Sequence, residues 1–190
     1  MRRAAILLTL LPLISVASVP ASLTLEELFH ESDVVVLVEV IEGRRLNVGD
    51  DHCGAAYTGE VLNSLKGTAD GEIIFGYYVG TGIGNKYLLF LTTEEYNPMT
   101  STNSMQTERH NECQEQCVRL WPHYLVAHSG YGSLEVKQAG ALDFVEGIGI
   151  PSNAIRIPTA IPAVRENEIH WVNLADVLEY LDGLDDMAPN

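Results

Sequence analysis

The chain has 190 residues, 26 of them acidic and 11 basic, for a net charge of −15. No cluster of Lys and Arg exists to displace counterions from phosphates, which argues against a nucleic-acid binder. With 46% hydrophobic and only 19% charged residues it is no disordered acidic tail, and its length suits one domain with at most a small appendage.

Met1-Arg2-Arg3 is a basic start, Ala4 to Val16 is almost unbroken apolar, and Ala17-Ser18-Val19-Pro20-Ala21 is a small-residue exit. These are the parts of a secretory signal peptide, with cleavage expected after Ala21 or, in its place, after Ala17. The apolar run is shorter than the roughly 20 residues of a bilayer span, and no Cys follows it for lipid attachment. Residues 1–21 are therefore expected to be a leader. The rest is expected to be exported, periplasmic or extracellular, without a membrane span.

Thr24 to His30 predicts a short helix, with Thr24 and Glu27 at capping-box spacing and Leu25, Leu28 and Phe29 on one face. Val34 to Ile41 is too apolar for an exposed strand and should lie centrally in a sheet. Polar Gly43 to Gly54 reads as a loop. Tyr57 to Leu65 alternates, placing Tyr57, Val61 and Leu65 on one face and Thr58, Glu60 and Ser64 on the other. Lys66 to Gly71 is a turn, and strands follow at Ile73 to Val79 and, after Gly80, Gly82 and Gly84, at Lys86 to Leu91. This hairpin spacing favours antiparallel β over βαβ units.

Thr92 to Glu115 is a long polar stretch, of the kind that is functional or tied down covalently. Tyr124 to Ala127 and Ser133 to Val136 predict a hairpin around Ser129 to Gly132. Phe144 to Pro162, with Gly147, Gly149, Pro151 and Pro158, predicts short extended segments. The clearest helix is last: Asn173 caps it, Val172 and Val177 form a staple, Leu174, Val177, Leu178 and Leu181 share a face, and Gly183 ends it.

An exported protein with Cys53, Cys113 and Cys117 is expected to form one disulfide and keep one thiol, and three pairings are open. A bridge from Cys53 to Cys113, or to Cys117 in its place, would pin the polar stretch to the β core. A competing metal site would draw on His52, Cys53, His110, Cys113 and Cys117, but His-x2-Cys-x3-Cys is no finger spacing and oxidation removes thiolates outside the cytosol. His30, His123, His128 and His170 stand singly, as structural histidines do. Ala127-His128-Ser129-Gly130 lacks the Gly that a nucleophile elbow needs before its Ser. Gly80 to Asn85 lacks the third Gly of a dinucleotide loop and leads into a strand. Asp182, Asp185 and Asp186 read as a solvated acidic tail. No catalytic residue, cofactor or metal site is nominated.

The run Tyr57 to Gly67 precedes Gly84 to Leu91 and follows Asp33-Val34-Val35-Val36 and Cys53. Together these resemble, over Leu23 to Cys117, the bacterial proteins with a domain similar to tissue inhibitors of metalloproteinases, and the netrin-like modules. The resemblance implies a mainly β fold: an OB-like five-stranded Greek-key barrel over 22–118 with a flanking helix and a disulfide-tethered loop. Residues 119–190 would add strands and a terminal helix to the same core. Those inhibitors chelate the protease zinc through a cysteine at the mature N-terminus. Here Ser22-Leu23-Thr24 would stand there, so that activity does not carry over.

The function expected is that of an exported, non-catalytic binding module for a protein or small ligand. The alternatives are a thiol- or zinc-dependent protein using Cys53, Cys113 and Cys117, and an exported hydrolase with dispersed carboxylates.

Overall fold

The computed structural model describes residues 23–77, 81–93, 115–139, 142–147, 155–166 and 169–185. The expected leader, Cys113, His110 and most of the polar stretch lie outside them. The described chain is mainly β with a C-terminal helix. Its strands are β1 (Leu23–Thr24), β2 (Val34–Val48), β3 (Asp51–Lys66), β4 (Glu72–Tyr77), β5 (Lys86–Thr92), β6 (Tyr124–Val126), β7 (Ser133–Ala139), β8 (Leu142–Gly147), β9 (Ile155–Arg156), β10 (Ala163–Glu166) and β11 (Ile169–Asn173). Helix α1 spans Leu25–Glu31 and helix α2 spans Leu174–Asp185.

Helix α1 begins where the sequence predicts. The Glu27 amide donates to Thr24 Oγ1 at 3.1 Å, and the Thr24 amide donates to Glu27 Oε2 at 2.8 Å. At its other end Lys66 Nζ donates to the carbonyls of Phe29 and His30, at 2.7 and 3.1 Å, satisfying acceptors that the helix leaves open and placing positive charge at the negative end of its dipole. Leu25, Leu28 and Phe29 are buried.

The Val34 to Ile41 run is central, as its composition requires. Val34, Val36, Val38 and Val40 enter one apolar cluster with Tyr57, Ile73, Phe75, Tyr87, Leu89, Leu91 and Val126. Val35 and Leu37 point the other way, into a second cluster with Leu88, Phe90, α1 and α2. β5 divides its residues between the same two clusters.

Gly43 to Gly54 is not a loop. β2 and β3 continue as a long hairpin, with Arg44 opposite Ala56 and Val48 opposite Asp51. The strands turn at Gly49-Asp50, where Gly49 takes the positive φ (59°) that a two-residue hairpin turn demands. Polar strand residues concealed this arm, which is exposed along most of β2's outer half and buries Leu46. Nor do Tyr57, Val61 and Leu65 share a face. The β2–β3 register shifts at Val35/Val36 and at Leu37/Val38, leaving Leu65 and Leu62 of β3 unpaired. The shifts turn Leu65 into the helix-side cluster while Tyr57 and Val61 stay in the other.

The expected hairpin of Tyr124–Ala127 with Ser133–Val136 does not form. Both segments pair antiparallel with one edge of β5: Leu125 and Val126 with Thr92 and Leu91, then Ser133 to Val136 with Leu89 to Lys86. They make one interrupted strand, with residues 127–132 extruded opposite Phe90. The Ala127 amide donates to the Phe90 carbonyl, the Phe90 amide to the Gly132 carbonyl, and the Gly132 amide back to Ala127. β6 then leans onto β4, with which it is parallel, and β7 leads away into β8.

The main sheet runs β10-β11-β8-β7-β5-β2-β3-β4-β6, and β6 returns to β5. The pairings β5-β2-β3-β4-β6-β5 therefore form a closed circuit, and strands β7, β8, β11 and β10 extend the sheet from β5. β1 and β9 make a separate parallel pair.

Helix α2 starts under Asn173, whose Oδ1 accepts from the Ala175 amide at 2.8 Å. It does not stop at Gly183. The chain stays helical to Asp185 because Leu184, one turn beyond Leu181, is buried in the same cluster. The Tyr180 hydroxyl donates to the Glu26 carboxylate and ties α2 to α1.

Two substitutions test this arrangement. A Cβ at Gly132 would stand 2.8 Å from the Phe90 carbonyl oxygen, so Gly132→Ala should cost about 1–3 kcal/mol in a denaturant melt. The Tyr180–Glu26 pair makes a pH signature. Burial, the Glu26 hydrogen bond and the Glu26 charge push the Tyr180 hydroxyl up to about 12. Burial alone would raise Glu26, but hydrogen bonds from Tyr180, its own backbone and Thr24, with the His30 charge, hold it below the usual value. A lowered carboxylate stabilises the fold above its unfolded value and loses that contribution as pH falls through the folded one. A raised tyrosine contributes below about pH 10 and loses its contribution as pH rises towards about 12. Tyr180→Phe should flatten both limbs of stability measured against pH; unchanged limbs would show that the pair is not formed.

Candidate functional site

Two of the three sequence-nominated cysteines, Cys53 and Cys117, meet at the far end of the β2–β3 hairpin. Cys53 is bonded to Cys117, with Cα atoms 5.1 Å apart. Of the two partners expected for Cys53, the structure takes Cys117 rather than Cys113. Around it residues 115–118 form a helical turn, followed by the Leu120 amide donating to the Cys117 carbonyl. The chain then brings Trp121 across, and its Nε1 donates to the Cys53 carbonyl at 2.8 Å. Leu46, Cys53, Ala56 and Cys117 are buried together, with Val48 and Trp121 packed against them. This small apolar cluster anchors the end of the polar stretch and stiffens a hairpin arm that projects beyond the main core.

Sulfurs joined to each other offer no thiolate to a metal. Neighbouring His52 is exposed, with Nδ1 3.3 Å from Asn47 Oδ1. Among the described residues no group of three or more His, Cys, Asp or Glu is placed to hold a metal ion. His128 does find a partner: Nε2 lies 2.7 Å from Glu31 Oε2, joining the extruded loop 127–132 to the end of α1. His128 adopts φ 51°, a left-handed conformation that side chains with a Cβ seldom take. At the β2–β5 end, Asp33 Oδ2 accepts from the Thr93 amide and hydroxyl, both at 2.6 Å. Those bonds, outweighing desolvation, with smaller contributions from Thr92 and Lys66, hold its carboxyl below the usual range.

The buried tyrosines Tyr57 and Tyr87 are held through their hydroxyls by the segment that follows residue 80. The Thr81 amide donates to the Tyr57 hydroxyl and the Gly82 amide to the Tyr87 hydroxyl, each at 2.9 Å. The Gly84 amide meets the Val40 carbonyl, and Val40 in turn donates to the Asn85 carbonyl. The segment 81–85 is thereby tied to β2 and to the hydroxyls of Tyr57 and Tyr87, whose rings are buried, Tyr57 stacking on Phe75 at 5.7 Å.

What sequence reasoning missed is the outer face of β2, β3 and β4. Register places Glu39 opposite Glu60 and Glu60 opposite Glu72, in one row across three strands. Lys86 of β5 stands beside Glu39 and offsets one of these charges. Glu60 and Glu72 are exposed, and Ile74, opposite Thr58 on the same face, is 53% exposed. Like charges directly across a strand pair are unfavourable. The signal in the sequence was the outward half of each alternation, Thr58 and Glu60 against Glu72 and Ile74, but only the register aligns them.

Compared with models of known protein families, with curated proteins and with solved structures, the chain matches none. No helix among the described residues is long and apolar enough to cross a membrane.

Breaking the crosslink tests its place. Cys117→Ser should lower stability by about 4 kcal/mol on the chain-entropy argument for a loop of 64 residues. Cys113→Ser should leave the crosslink intact and remove the one thiol that titrates with a thiol reagent. Loss of the crosslink in Cys113→Ser would overturn the pairing.

Proposed function

We propose that this chain is an exported, non-catalytic binding module on an OB-like five-stranded Greek-key barrel, and that it holds a basic protein segment on the outer face of β3 and β4. The scaffold reading is supported by strand order. β5-β2-β3-β4 is the 4-1-2-3 order of a Greek key, and β6 pairs with both β4 and β5. The side chains of the five strands converge on one apolar cluster, as the filled interior of a small barrel requires. It is also the scaffold implied by the resemblance to inhibitor-like and netrin-like modules.

The binding reading is carried by one observation, the register of Glu39, Glu60 and Glu72. OB-type barrels bind through the face of their second and third strands, here β3 and β4. The helices cover the other side of β2 and β5, whereas β3 and β4 present carboxylates and Ile74 to solvent. Phosphate-rich ligands would be repelled by that face. A lysine- or arginine-bearing segment relieves the cross-strand repulsion, and an apolar side chain beside it covers Ile74.

The test uses a lysine-rich peptide containing one leucine as probe, titrated by calorimetry at two salt concentrations. The triple variant Glu39→Gln, Glu60→Gln, Glu72→Gln should weaken binding at least about tenfold, the ~1.4 kcal/mol of one lost charge contact. A control of equal charge change elsewhere, Glu115→Gln, Glu179→Gln, Asp182→Asn, should bind as the parent does. Equal loss in both variants would reduce the effect to net charge and overturn the assignment. Export is tested separately, by recovering from the exported fraction a chain that begins at Ser22 or, with the alternative cleavage, at Ser18.

A further inference from the structure

We draw no further inference here: the strongest candidate, the edge of β10 that ends the nine-stranded sheet among the described residues and carries exposed Val164, carries nothing because nothing in the structure shows what covers it.

Discussion

Residues 34–38 of β2 and 87–91 of β5 have no polar face to turn to water, and that constraint organises the molecule. Val34 through Val38 and Tyr87 through Leu91 are all buried, and each such side chain stabilises the fold by roughly 1.5–3 kcal/mol only when it is kept from solvent. Two separate covers are therefore required. On one side Val34, Val36, Val38, Tyr87, Leu89 and Leu91 pack with Tyr57, Ile73, Phe75 and Val126 of β3, β4 and β6. On the other, α1 and α2 lie over Val35, Leu37, Leu88 and Phe90. The helices are fastened to the sheet and to each other by specific contacts, Lys66 on the last carbonyls of α1 and Tyr180 on Glu26.

Curling a sheet needs departures from regular pairing. The β2–β3 ladder has register shifts at four places, and each adds local bend and twist. The free edge of β5 has a second conflict, since both the circuit and the outer sheet need it. The chain resolves this by interrupting one strand at residues 127–132: the part before the interruption closes the circuit, and the part after it founds the extension through β8, β11 and β10. Gly132 sits against the Phe90 carbonyl with no room for a side chain, so the fork depends on a glycine at that position.

Elements whose boundaries follow from local chemistry were legible in the sequence. The Thr24–Glu27 box, the doubly apolar β2, the strands around Ile73 and Lys86, and the Asn173 cap all rest on neighbours a few residues apart. What escaped were features decided by partners distant in the chain. Residues 43–54 look like a loop because their strand faces solvent, although Gly49-Asp50 is itself a hairpin-turn signal. Leu65 changes face through a bulge that no alternation count contains. Ser129 to Gly132 has the composition of a turn, and it is one, but a turn within a strand rather than between two. Gly183 signals a helix end, and the burial of Leu184 outweighs it. The site divides the same way: spacing nominated Cys53 and its two partners, tertiary packing around Trp121 selected Cys117, and the carboxylate row arose only from register.

β3 explains why that row persists. Near its start Cys53 is crosslinked to Cys117, and at its end Lys66 is bonded to the carbonyls of α1. Between them it pairs with β2 on one side and β4 on the other, Tyr57 stacked on Phe75 below. A strand held at both ends and along both edges cannot drift to separate Glu60 from Glu72, and their backbones stay at the spacing of adjacent strands. β3 thus keeps Glu39, Glu60 and Glu72 in one row at adjacent-strand spacing, and the proposed recognition by charge complementarity rests on that fixed array.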